Sequence, residues 1–139
     1  MKTGRTVGLT LDQAFIGLLI AAMDANRHVS SEEAARAHHI IWSMKRFRRK
    51  SGETVGRLIE KMRVYVGVHG SAATIDAACQ VIPRELRPAA FALSADLVLA
   101  DGRIEPAEQR FLAALADRLG LTAAARNRLR EAMLVKNGA

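Results

Sequence analysis

Apolar residues recur at helical spacing along nearly the whole chain, and no segment shows the clean alternation of a half-buried strand. The first apolar block runs from Leu11 to about Ala25 and carries only Asp12, Gln13 and Asp24 as polar residues, so it predicts a helix buried on most sides. Thr10 and Gln13 have capping-box spacing before it. Ser30 and Glu33 form a second box, opening a helix to about Met44 with Ala34, Ala37, Ile41 and Met44 on one face. Lys45 to Lys50 then place positive charge at that helix end, matching its dipole, and Ser51-Gly52 break the chain. Val55, Leu58, Ile59, Met62 and Val66 mark a third helix, ended by Gly67 to Gly70. A fourth is expected over Thr74 to Ile82, stopped by Pro83, and a fifth from about Arg84 to Ala100, almost wholly apolar after Pro88 with Asp96 as the exception. Pro106 suits the first position of a sixth helix, with Phe111, Leu112, Leu115 and Leu119 inward and Gly120 just past its end. Thr122 caps a seventh that uses Leu129, Ala132 and Met133, and Lys136 to Ala139 are expected to fray. The pattern therefore predicts an all-α fold, a single domain of about seven helices spanning residues 1–139.

Two segments correspond at an offset of 75 residues: Ala25 to Glu33 and Ala100 to Glu108. Val29 matches Ile104, Glu33 matches Glu108, and Asn26 matches Asp101. Each segment follows a strongly apolar helix and precedes an amphipathic one. The chain thus reads as two related helix-turn-helix halves, at about 11–45 and 86–121.

Composition changes this picture in three ways. The aromatic content of 4% leaves packing to small and aliphatic side chains, which suits close-packed helices. A single cysteine, Cys79, rules out an intramolecular disulfide or a cysteine-based zinc site, and points to a small core residue in a reducing, cytoplasmic setting. No apolar run reaches the roughly 18 residues of a membrane span. Lys2 and Arg5 ahead of Ala14 to Met23 faintly imitate a signal peptide, but deleting that helix would strip the second half of its counterpart. The net charge of +7 suggests anionic partners. Its distribution is uneven: residues 45–50 hold five bases and no acid, whereas residues 90–120 hold five acids against three bases.

The acidic turns are the main candidate chemistry. Asp101 to Glu108 reproduce the back half of an EF-hand loop, with Gly102 at the glycine position, Ile104 at the apolar position and Glu108 at the bidentate one. Leu97 and Leu99 occupy the first and third ligand positions, which excludes a standard Ca²⁺ loop. In the first turn Asp24, Asn26, Ser30 and Glu33 fall at ligand positions, but Ala22 replaces the first ligand and Arg27 the glycine. Pooled across the two turns, Asp24, Asp96, Asp101, Glu105 and Glu108 would offer a hard divalent cation of the Ca²⁺ or Mg²⁺ class several oxygens. The same residues also fit a purely structural role, with Asp101 fixing the turn, Gly102 at positive φ, Glu105 capping and Glu108 complementing the helix dipole. Asp96 argues for more than that, because an unpaired carboxylate in an apolar helix is costly.

The stretch from Arg87 through Ala100-Asp101-Gly102 to Glu108, continuing to Phe111-Leu112 and Leu119-Gly120-Leu121, resembles the TerB-like tellurite-resistance family. The weaker half, about Leu11 to Met44, resembles that family's first repeat. The resemblance implies an all-helical domain with internal pseudo-symmetry and an acidic cluster that binds divalent metal. It also implies a part in tellurite or other chemical stress alongside membrane-associated protein partners. Asp101 and Glu108 match best, with Asp96 and Glu105 nearby and Asn26 and Glu33 in the first half. Asn26 stands where an Asp is expected and Arg27 where a Gly is expected, so the first half has one carboxylate fewer and one cation more.

Other features give rival readings. Lys45 to Lys50, with Phe47 inside and Trp42 just before, suggest a basic adaptor that binds nucleic acid or anionic lipid. No recognised DNA- or RNA-binding motif accompanies them. A scaffolding bundle with an exposed apolar patch is a third reading. His38 and His39 are adjacent and diverge by about 100° on a helix, and His28 and His69 fall in turns. No Ser-His-Asp or Cys-His constellation and no phosphate-cradling glycine loop can be built, so the chain is expected to be non-enzymatic.

Overall fold

The computed structural model describes residues 8–24 and 31–138. Among them are seven α-helices and no strand: α1 (Leu11–Asp24), α2 (Ser31–Ser43), α3 (Gly52–His69), α4 (Ser71–Val81), α5 (Arg87–Val98), α6 (Pro106–Arg118) and α7 (Ala123–Asn137). The all-α expectation holds. Several predicted caps form as written. The Gln13 side chain accepts from the Thr10 N–H at 2.9 Å and the Thr10 hydroxyl accepts from the Gln13 N–H at 3.1 Å. Thr122 caps α7 through the Ala125 N–H as expected, and Ser51, read only as part of a break, caps α3 through the Thr54 N–H. The Ser30 end of the second box lies outside the described residues, as do Asn26, Arg27, His28 and Val29.

The apolar α1 is central, packed by α2, α3, α4 and α5. Ala14 to Leu19, Ala21 and Ala22 are all buried. Gly17 lies where α1 meets α3 and α4: a Cβ there would stand 2.8 Å from Met62 Cε and 3.2 Å from Thr74 Cγ2. The buried Thr74 and Ser94 hydroxyls donate to the Gly70 and Ala90 carbonyls, which satisfies polar groups the core would otherwise strand. Arg87 Nε donates to the Ile82 carbonyl at 3.1 Å, and its terminal nitrogens reach the Cys79 and Leu119 carbonyls, so one cation serves the ends of α4 and α6. Cys79 is half-buried rather than fully inside, and burial pushes its thiol pKa up.

Five element boundaries differ from expectation. The predicted helix from Arg84 divides into a 3₁₀ turn (Arg84–Leu86) and α5, because the Pro88 ring would clash with the Arg84 carbonyl in a continuous α-helix. It also stops at Val98, two residues short of Ala100. The fourth helix starts at Ser71, three residues before Thr74, because Gly70 at φ +86 lets α4 follow α3 directly; His69 is therefore the last residue of α3. Lys45 to Lys50 do not end a helix. α2 stops at Ser43, and residues 45–49 form successive turns that bury Phe47 completely. Finally, the tail does not fray as far as it is described. Lys136 and Asn137 are helical and bonded to Asp96, and Gly138 closes onto the Leu134 carbonyl.

Candidate functional site

The α5–α6 turn is built by its own residues. Gly102 takes φ +78, which an L side chain rarely adopts, and its N–H donates to the Leu99 carbonyl at 2.9 Å. Asp101 Oδ1 accepts from the Arg103 N–H at 3.1 Å, an Asx turn. Glu105 is the N-cap of α6, Pro106 follows in the first turn, and Glu108 Oε1 accepts from the Glu105 N–H at 2.9 Å. The structural roles expected of Gly102, Asp101 and Glu108 are thus all present.

The same turn also forms one wall of a cavity of about 390 Å³. Glu32, Glu33 and Arg36 enter from α2, Asp101 from the turn and Glu108 from α6, over a floor of Leu97 and Val98. Glu33 and Glu108, matched at the 75-residue offset, therefore face a common space. Glu108 is only 6% exposed. Burial raises its pKa above the ordinary carboxylate value. The Glu105 N–H opposes that shift, and the negative charges of Asp101, Glu105 and Glu33 add to it.

The remaining predicted residues stand elsewhere. Asp24, at the end of α1, accepts from the Ser71 hydroxyl at 2.7 Å and so joins α1 to the start of α4. Asp96 takes Lys136 Nζ at 2.9 Å and Asn137 Nδ2 at 3.0 Å, with Arg36 at 3.9 Å. Its carboxylate is thus compensated by the end of α7, which explains its place in an apolar helix. Glu105 does not line the cavity, and Asn26 lies outside the described residues. Among the described residues no three Asp, Glu, His or Cys side chains stand where one metal ion would be held directly. Asp24 and Asp96 are not pooled with Asp101, because each has its own partner on a different element.

Two lining residues, Glu32 and Arg36, escaped the motif reading. The available signal was position: Arg36 lies four and three residues after Glu32 and Glu33, on one helix face. Arg36 matters electrostatically. Its terminal nitrogen donates to Asn137 Oδ1 at 2.8 Å, and its buried Nε has no hydrogen-bond partner among the described residues. Among the described residues, the cavity is lined by four carboxylates and one guanidinium.

The basic segment offers no aromatic platform of its own, because Phe47 is fully buried. Arg46 and Lys50 are both drawn to Asp12, at 2.6 and 3.4 Å, and Arg46 also sits 5.5 Å from the Phe15 ring centre. His38 and His39 are exposed, and the His69 ring lies against Tyr65. No described helix is long and apolar enough to cross a membrane.

No curated protein and no solved structure is significantly similar to the chain. The family model described as tellurite resistance protein TerB matches residues 12–131. That span takes in α1 to α6, most of α7 and every carboxylate of the cavity, so the chain belongs to the TerB family.

Proposed function

We propose that this protein is a non-enzymatic stress-response module of the TerB type, acting in the cytoplasm with protein partners, some of them membrane-associated. Its cleft between α2 and the α5–α6 turn takes a divalent cation that keeps part of its water shell. The observation that carries this reading is the convergence of Glu32, Glu33, Asp101 and Glu108 on one cavity, with Arg36 the one guanidinium lining it among the described residues. Burial, and after it repulsion from Asp101, Glu105 and Glu33, disfavours the charged form of Glu108, and a bound cation would relieve the repulsion. Among the described residues the carboxylates are not gathered into a closed inner shell. That favours an ion of the Mg²⁺ class, which dehydrates reluctantly and binds through one or two carboxylates, over a Ca²⁺ cage of six to eight oxygens. Such an ion would tie α2 to the start of α6 and stiffen the face offered to a partner.

Calorimetric titration of Mg²⁺, Ca²⁺, Mn²⁺ and Zn²⁺ into the wild type, Asp101→Asn and Glu33→Gln tests the reading. Mg²⁺ or Mn²⁺ should bind the wild type, and each variant should weaken that binding about tenfold, as expected for a lost charge-assisted ligand. Failure of every ion to bind the wild type refutes it, as does binding that both variants leave unchanged.

A further inference from the structure

The basic turn after α2 and the exposed stripe of α5 enclose a second, larger cavity of about 960 Å³. Its floor is apolar: Phe15, Met44, Leu86 and Leu93, with Ala89 and Ala92 leaving the space open where longer side chains would fill it. Ala89, Ala92 and Leu93 fall at i, i+3 and i+4 on one face of α5, and Leu86 of the preceding 3₁₀ turn, Phe15 of α1 and Met44 complete the floor. The rim is cationic, with Lys45, Arg46, Arg48 and Arg49. Arg46 is engaged by Asp12, whereas Lys45, Arg48 and Arg49 have no carboxylate partner among the described residues.

We propose that this cavity binds a single-chain anionic amphiphile, with the alkyl chain along the α5 floor and the anionic head group at Arg48 and Arg49. The volume lies in the range of about 300–1,000 Å³ typical of small-molecule pockets, and an apolar lining with a few placed polar groups is their usual chemistry. The unneutralised guanidinium groups supply charge complementarity, and their planar donors suit a carboxylate or a phosphate. Nucleic acid fits less well, because Phe15 in the cavity and Phe47 in the basic turn are both buried, and the exposed Trp42 is not part of the cavity lining. A bilayer surface fits less well too, because the apolar atoms lie in a concave floor and not on a protruding edge. A stable protein–protein interface involves about 20–30 residues a side, more than line this cavity.

The test is calorimetry on the full chain with laurate and dodecyl phosphate below their micellar concentrations, the two probes separating carboxylate from phosphate heads. The comparison probes are neutral 1-decanol, phosphatidylglycerol vesicles and a single-stranded oligonucleotide. At least one anionic probe should bind with one-to-one stoichiometry. Arg48→Glu/Arg49→Glu, both on exposed positions, should weaken it at least about tenfold. Ala92→Leu should weaken it as well by filling the floor, and Ala89→Phe at an exposed position serves if Ala92→Leu fails to fold. The proposal is overturned if neither anionic probe binds, if 1-decanol binds equally well, or if only vesicles or the oligonucleotide bind.

Discussion

Replacing Gly102 by alanine tests how the end of α7 is held against the acidic turn. Gly102 sits at φ +78, where an L side chain costs about 1–2 kcal/mol. A Cβ there would also stand 3.1 Å from the Gly138 Cα and 3.3 Å from the Asn137 carbonyl oxygen. Both obstacles are backbone atoms, so relief requires the last turn of α7 to move. That turn carries the Asn137 donations to Asp96 at 3.0 and 3.2 Å and the Lys136–Asp96 contact, each worth about 0.5–1.5 kcal/mol net. Together these give a destabilisation of about 2–4 kcal/mol, or a urea midpoint lowered by about 1–2 M at the slope usual for a small domain. Gly120→Ala isolates the strain term, because Gly120 also has positive φ, at +72, but its Cβ would meet only Arg87 Nη1, at an ordinary 3.8 Å. It should cost about 1–2 kcal/mol. In a chain ending at Val135, Gly102→Ala should fall to that same level. Urea unfolding followed by far-ultraviolet circular dichroism measures all three. If Gly102→Ala costs no more than Gly120→Ala in the full chain, the docking of α7 on this turn is not what Gly102 serves.

Three further outcomes follow from the same geometry. Glu108→Gln keeps an acceptor for the Glu105 N–H and removes a buried negative charge, so it should stabilise the protein at neutral pH. Because the folded-state pKa of Glu108 is raised, its contribution favours the fold below the unfolded value and is lost as pH rises through the folded value. The advantage of Glu108→Gln should therefore shrink as pH falls toward the ordinary carboxylate range, as thermal melts at several pH values will show. Asp96→Ala removes the shared acceptor of Lys136, Asn137 and Arg36 and should cost about 2–3 kcal/mol in urea unfolding, with faster amide exchange in the last turn of α7. Gly56→Ala lies inside α3 with open space around its Cβ, so it should stabilise by about 0.5–1 kcal/mol, visible as a higher melting temperature.

Much of the architecture was legible because it rests on local rules. The apolar run of α1, the spacing of Val55 to Val66, the caps at Thr10 and Thr122, and the proline opening α6 each act within a few residues. The misplacements came where a tertiary contact or a steric clash overrode local preference. Phe47 is drawn into the core and turns a basic stretch away from the helix. Pro88 divides the single helix expected from Arg84 into a 3₁₀ turn and α5. Lys136 and Asn137 stay helical because Asp96 waits for them across the fold. Of the acidic residues singled out, Glu33, Asp101 and Glu108 come together, while Asp24 and Asp96 take separate partners that no spacing could reveal.

Periodicity and capping chemistry were enough to specify an all-helical chain, because the burial of an apolar stripe and the needs of a helix end are set within one or two turns of sequence. The meeting of Glu33 with Glu108, and the separation of Asp96 from Asp101, depend on how α2, α5, α6 and α7 pack. Charge on a side chain acts through space. Whether a carboxylate ends as a cap, an ion-pair partner or one wall of a cation-seeking cleft is decided by which helices lie beside it.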